Sequence, residues 1–185
     1  MKVSREQMRQ NRERILQAAA RLFRERGFDG VSVAEVMQAA GLTHGGFYGH
    51  FESKDALIQE AMAQAMPATR SRRGASQSAA EFADGYLSAR HRDNRADGCP
   101  VAGLGSEAAR ASSEVRAGLT KSIQAEIERF SAASPGATAA TRRRAGIAAY
   151  AAMVGALTLA RVVDDETLSK EILAATRRSL DLGRS

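Results

Sequence analysis

Residues 32–54 read SVAEVMQAAGLTHGGFYGHFESK, and the order of caps, glycines and aromatics in this stretch decides the fold. Ser32 and Glu35 have the S-x-x-E spacing of a capping box, in which a hydroxyl and a carboxylate each take a main-chain N–H that a helix start leaves unbonded. Val33, Val36, Met37 and Ala40 turn inward, so a short helix is predicted, ended by Gly41 and followed by Leu42 as a buried plug. Thr43 caps another short helix running to about Phe51. Phe47 and Phe51, one turn apart, anchor that helix, leaving His44, Gly45, Tyr48 and Gly49 on or near its other side. Such a side can enter a major groove, and two short helices about a glycine turn in a basic region have the layout of a helix-turn-helix.

Working outward, Ile15, Leu16, Ala19, Leu22 and Phe23 form one stripe of an amphipathic helix over residues 6–26, with Ser4 and Gln7 at its start and Gly27 at its stop. Downstream, Ser53 caps a helix whose apolar face is Leu57, Ile58, Ala61, Met62 and Ala65. From Pro67 to Ser78 the chain is small, polar and basic, either a solvated helix tail or a loop, and marks the junction between a head and a body. Beyond it, Phe82, Tyr86, Leu87 and Ala89 suggest a fifth helix, and Cys99-Pro100 opens a sixth. Val115, Leu119, Ile123, Ile127 and Phe130 line a seventh that stops near Pro135-Gly136, and two more run from Thr138 to Val163 and from Thr167 to Leu182. No segment reads as a strand. The expected fold is all-α, about nine helices, with a helix-turn-helix head over residues 1–66 and a helical body over residues 67–185.

The formal net charge of +6 and pI of about 10.1 point to a polyanionic partner. Lys2, Arg5, Arg9, Arg12, Arg14, Arg21, Arg24 and Arg26 against Glu6, Glu13 and Glu25 place +5 of that charge in residues 1–28. Lys2, Arg5 and Arg9 are candidates for a supporting arm toward phosphate or the minor groove. A single cysteine, Cys99, excludes an internal disulfide framework, and with three scattered histidines it builds no metal cage. The N-terminus is charged rather than apolar and no run approaches the roughly 18 apolar residues of a membrane span, so a cytosolic chain with no membrane partner is expected. No Ser/His/Asp spacing, phosphate-cradling loop or metal-ligand cluster stands out, so neither an enzyme nor a cofactor is expected.

Residues 15–58 resemble the TetR family signature. The match runs through Ile15-Leu16-x-Ala18-Ala19-x-x-Leu22-Phe23, Gly27-Phe28, Ser32-Val33 and Ala39-Ala40-Gly41-Leu42-Thr43 to Gly46-Phe47-Tyr48-Gly49-His50-Phe51-Glu52-Ser53-Lys54 and Ala56-Leu57. The resemblance implies a DNA-binding transcriptional regulator, more often a repressor than an activator, that binds a double-stranded palindromic operator as a homodimer. It places Thr43, His44, Gly45 and Tyr48 at positions touching bases or nearby backbone, and Ser32, Gly46, Tyr48, His50 and Lys54 at phosphate-contacting ones. Position 46 often carries a hydroxyl in the family, whereas Gly46 offers only its amide. Gly45, Gly46 and Gly49 each cost a short helix up to about 1 kcal/mol relative to alanine, so this helix is expected to be partly loose until DNA orders it.

The body resembles the family less specifically, chiefly at Leu157-x-Leu159-Ala160-Arg161-Val162-Val163-Asp164 and Ile172-Leu173-Ala174-Ala175. The resemblance implies that the last two helices pair two copies, with Ala148, Ala152, Gly155, Ala156, Leu168 and Ile172 as candidate interface residues. It also implies a small-molecule inducer, with Phe82, Tyr86, Leu104, Leu119, Ile123 and Tyr150 as candidate pocket residues chosen for apolar position. Cys99 precedes Pro100 at a helix start, where a thiol can react with electrophiles or oxidants, and Gly98-Cys99-Pro100 resembles a segment of some regulators that sense reactive compounds. The rival readings are a ligand-independent regulator and, outside the class, a basic helical RNA- or membrane-surface-binding module.

Overall fold

A computed structural model describes residues 4–72 and 78–180. Its elements are α1 (Arg5–Arg26), α2 (Val33–Ala39), a 3-10 helix (His44–Gly49), α3 (Lys54–Arg72), α4 (Ala79–Tyr86), α5 (Ala89–Asp93), α6 (Pro100–Ala108), α7 (Ser113–Ala133), α8 (Ala139–Val162) and α9 (Glu166–Ser179). No strand occurs among the described residues. Lys2, residues 73–77 of the expected junction and the expected last turn to Leu182 lie outside the described residues.

Local chemistry sets most of the boundaries. The Ser4, Ser32, Ser78, Ser88 and Thr138 hydroxyls each accept an N–H three residues on, starting α1, α2, α4, α5 and α8. Gly27 (φ +82°) and Gly41 (φ +70°) supply the left-handed backbone that stops α1 and turns the chain after α2. Two expectations change. The helix after Thr43 is a 3-10 helix whose N-cap side chain makes no hydrogen bond, in keeping with three glycines in six residues. The five-residue α5 was not legible, because Arg90, Arg92 and Asp93 give it no apolar stripe.

Two hydrophobic clusters fill the interior. The first joins Ile15, Phe23, Val36, Met37, Phe47, Phe51, Leu57 and Met62 to Leu104, Val115 and Leu119 from further along the chain. The second joins Phe82, Tyr86, Cys99, Phe130, Tyr150, Met153 and Leu157. Helix α7 belongs to both, its Val115 end in the first cluster and its Phe130 end in the second. Helices α7 and α8 approach closely at Gly146, where a Cβ would fall 2.5 Å from the Ser131 nitrogen.

Helix α8 corrects the expectation that no segment is apolar enough to span a bilayer: by length and composition alone it is. Its buried side, with Tyr150, Met153, Leu157 and Ala160, completes the second cluster. Its other side carries the exposed Ile147, Leu159 and Val162.

The head is fastened to the body at two points, one on α6 and one in the loop before it. Glu107 accepts the Phe28 N–H at 2.6 Å, next to Gly27, and Arg24, 6% exposed, donates from Nε to the Ala96 carbonyl.

Candidate nucleic-acid interface

The interface is built on α2, which is fixed at its start. Ser32 Oγ accepts the Glu35 N–H at 3.2 Å, while Glu35 Oε2 accepts the Ser32 N–H and hydroxyl at 2.8 Å each. Arg26 donates to the other Glu35 oxygen at 2.8 Å. The Ser32 amide and hydroxyl, joined by Arg26, hold the Glu35 carboxyl at about 2, below its ordinary 4.5. Past the Gly41 turn, the Leu42 N–H bonds back to the Met37 carbonyl at 2.9 Å, fixing where the second short helix starts.

That helix has two different sides. Phe47 and Phe51 are 1% and 3% exposed and stack at 5.8 Å, whereas Tyr48 between them is 74% exposed with its ring edge-on to Phe47. A large aromatic held out in water by a buried one is poised to meet another surface. Thr43, His44, Gly45, Gly46 and Gly49 are exposed on the same element. A Cβ added at Gly45 or Gly49 would meet nothing within 4 Å, so these glycines relieve no internal crowding and leave bare backbone that a bulky polymer can approach.

The flanks are polar and half-buried. Burial, then the positive charge of Arg12, lowers the His50 imidazole below 6.5, so it is neutral at pH 7 and offers hydrogen bonds rather than charge. Lys54 opens α3, whose first turn is capped by Ser53 Oγ accepting the Ala56 N–H at 3.0 Å. Arg12 was missed as an organiser of this region. Its guanidinium lies 4.2 Å from the Phe51 ring centroid and pairs with Glu60 at 2.7 Å. Partners 39 and 48 residues away leave no trace in local periodicity. Arg9 is paired with Glu6 at 2.7 Å on the exposed face of α1.

In the body, the expected interface set divides. Ala148, Ala152, Gly155 and Leu168 are exposed and Ile172 is half-buried, but Ala156 is buried in its own second cluster. Ile147, Leu159 and Val162, absent from that set, supply the larger exposed hydrocarbon of α8. The expected pocket set divides too: Leu104 and Leu119 lie in the first cluster, while Phe82, Tyr86 and Tyr150 lie in the second with Ile123 packed against it. Apolar periodicity shows that a residue is inside, not which of two cores it joins.

Cys99 is the N-cap of α6 and is 4% exposed. Its N–H donates to His91 Nε2 at 2.9 Å, and His91 Nδ1–H donates to the Tyr86 carbonyl at 2.7 Å, which fixes the histidine tautomer. Burial, then Cys99 and Glu126, pushes the Tyr150 phenol far above its ordinary value, so it stays protonated. Among the described residues no group of three metal-ligating side chains occurs.

Fold and site together define a helix-turn-helix head carried by an all-helical body. Residues 15–61 match the model of the bacterial regulatory proteins of the tetR family. It is 37% identical over 57 residues to the HTH-type transcriptional regulator AcrR of Shigella flexneri, a match covering 31% of this chain and 26% of that protein. The chain thus spans about a quarter of the length of such curated relatives. A TetR transcriptional regulator from Chloroflexus aurantiacus superposes with a TM-score of 0.73 at 25% identity, covering 94% of this chain and 95% of that one. A TetR-family regulator from Cytophaga hutchinsonii superposes over 100% of both chains, with a TM-score of 0.76 at 18% identity.

Proposed function

We propose that this protein is a sequence-specific DNA-binding transcriptional regulator that represses as a homodimer in the cytoplasm, released from a palindromic operator by a small-molecule or electrophile inducer. The observation that carries this reading is Tyr48, 74% exposed on a short helix whose neighbours Phe47 and Phe51 are buried. In this reading residues 1–66 are the DNA-binding head and residues 67–185 the dimerising, ligand-binding body. Tyr48 packs on sugar or a thymine methyl and Thr43, His44 and Gly45 approach base edges, while Ser32, Gly46, His50 and Lys54 meet phosphates. Ser32 meets phosphate through a hydroxyl already engaged with Glu35, so it positions more than it attracts.

Dimerisation is supported by Ile147, Leu159 and Val162 on α8 and Leu168 on α9, all exposed in the single chain. Two heads about 34 Å apart then read successive major grooves on one face of the duplex. The shared core and the Glu107 and Arg24 contacts would carry a change in the body to the head, and a few degrees of tilt suffice to misplace one head relative to the other. A relative described as a repressor, the HTH-type transcriptional repressor KstR2 of Mycolicibacterium smegmatis, favours repression over activation.

Selection of bound duplexes from a random pool tests the reading. A palindromic motif should be enriched and its affinity should fall steeply with salt. Equal retention of single-stranded RNA, or of anionic vesicles, with no enriched duplex would overturn it.

A further inference from the structure

The second core holds polar atoms that its own side chains leave unmet. Glu126 on α7 and Tyr150 on α8 are 7% and 5% exposed; Glu126 Oε2 has no hydrogen-bond partner among the described residues, and the Tyr150 hydroxyl has beside it the Cys99 thiol, a weak hydrogen-bonding group, with no well-formed bond to it. The ion pair Glu126 makes with Arg129, one turn on, is 3.6 Å long, against the roughly 2.8 Å of a charge-assisted hydrogen bond. The Arg129 guanidinium instead lies over aromatic rings, 4.2 Å from the centroid of Phe82 and 5.5 Å from that of Phe130. Phe130 in turn stacks on Tyr150 at 6.1 Å, so carboxylate and phenol border one aromatic cluster. Three other buried polar side chains of this region are satisfied: His91 has two main-chain partners, and Ser134 and Ser169 donate to the Phe130 and Ala160 carbonyls. Each buried polar atom left unmet costs about 1–3 kcal/mol, and native interiors keep few without a bound molecule to meet them.

A carboxylate only accepts hydrogen bonds and a phenol oxygen also accepts, so the missing partner is a donor. The aromatic faces already carry one cation, the Arg129 guanidinium, whose long contact leaves Glu126 Oε2 able to accept from a second donor, and they exclude a further anion. We infer that Glu126 and Tyr150 are the polar anchor of a body site for a small amphipathic amine. Its ammonium group donates to the Glu126 carboxylate and the Tyr150 oxygen, and its apolar part lies against Phe82, Phe130 and Ile123. This rests on the proposed inducer-binding role of the body and names the chemistry of that inducer. Ile123, Tyr150 and Phe82 are candidates from sequence, whereas Glu126 is not, since an acidic residue in an amphipathic helix reads as solvated.

Calorimetric titration of the full chain with three probes of one skeleton tests this: 2-phenylethylamine, 2-phenylethanol and 3-phenylpropanoate. The amine should bind at least about tenfold tighter than the alcohol and the carboxylate. Glu126→Gln should erase that preference, and Tyr150→Phe should weaken amine binding about threefold or more while leaving thermal unfolding cooperative. Should Glu126→Gln fail to fold, Tyr150→Phe decides. Carboxylate binding equal to amine binding, an amine preference that survives Glu126→Gln, or no binding by any probe would overturn the proposal; the last result leaves a bridging water as the sole occupant. Duplex selection is read separately. A chain that selects an operator yet binds no amine loses this site alone, and one that binds the amine but selects no duplex loses the regulatory reading alone.

Discussion

In the head, the side chains that reach the interior are almost all hydrocarbon or plain aromatic, among them Ile15, Phe23, Met37, Phe47, Phe51 and Leu57, with Arg24 the charged exception at the seam with the body. In the body, the interior also contains His91, Glu126, Ser134, Ser169 and the two phenols of Tyr86 and Tyr150. A dry core holds its surface in one geometry, which suits a module that must present Tyr48 at a fixed angle to a large external partner. A core with polar groups recognises from within, at a cost in stability that a bound molecule can offset. The two are not separate bodies in energetic terms, because Leu104, Val115 and Leu119 of the body fill part of the head's core.

The comparison breaks most sharply at Phe47. Phe47→Ala removes a ring that is 1% exposed and stacked on Phe51, and should cost about 3–5 kcal/mol in denaturant unfolding. The seam between the regions comes next. At Gly27, with φ +82°, a Cβ would sit 2.7 Å from Glu107 Oε1, so Gly27→Ala strains the backbone and displaces the carboxylate that accepts the Phe28 N–H. A loss of about 1–3 kcal/mol in thermal melts is expected.

Ser32→Ala should be milder, at about 1 kcal/mol, since it removes a helix cap rather than core volume. It also changes a titration. The folded Glu35 carboxyl is held at about 2 against an ordinary 4.5, so its contribution to stability is fully present above about 4.5 and is lost as pH falls toward 2. A pH-dependent NMR titration should show Glu35 moving back toward its ordinary value in Ser32→Ala. The smallest effect on the fold is expected at Lys54. Lys54→Ala should leave unfolding within about 0.5 kcal/mol of wild type, yet weaken binding to all duplexes alike and lower the salt slope by about 1.

Where the sequence was legible, the signal was local. Capping pairs such as Ser4 with Gln7 and Ser32 with Glu35, the stops at Gly27 and Gly41, and the alternation of buried Phe47 and Phe51 with exposed Tyr48 follow from residues within one or two turns of each other. What stayed hidden depends on tertiary neighbours. Arg12 over Phe51, Glu107 on Phe28 and Leu104 among the head's aromatics are long-range contacts that no spacing rule encodes. Glu126 was hidden for a related reason, because periodicity places a carboxylate outside and only the packing of α7 on α8 brings it in. The short 3-10 helix lies between these cases. Its three glycines signalled a weak α-helix, and the tighter form is what remains once Phe47 and Phe51 must still reach the core.

The most direct measurement is the affinity of Tyr48→Ala for the selected duplex and for a scrambled duplex of the same length, taken at one salt concentration beside its melting curve. The ratio of the two affinities should fall by about tenfold or more with the melting curve unchanged, because Tyr48 faces outward and holds up nothing inside. An unchanged ratio would mean that the exposed edge of this short helix does not read DNA, and would contradict the account.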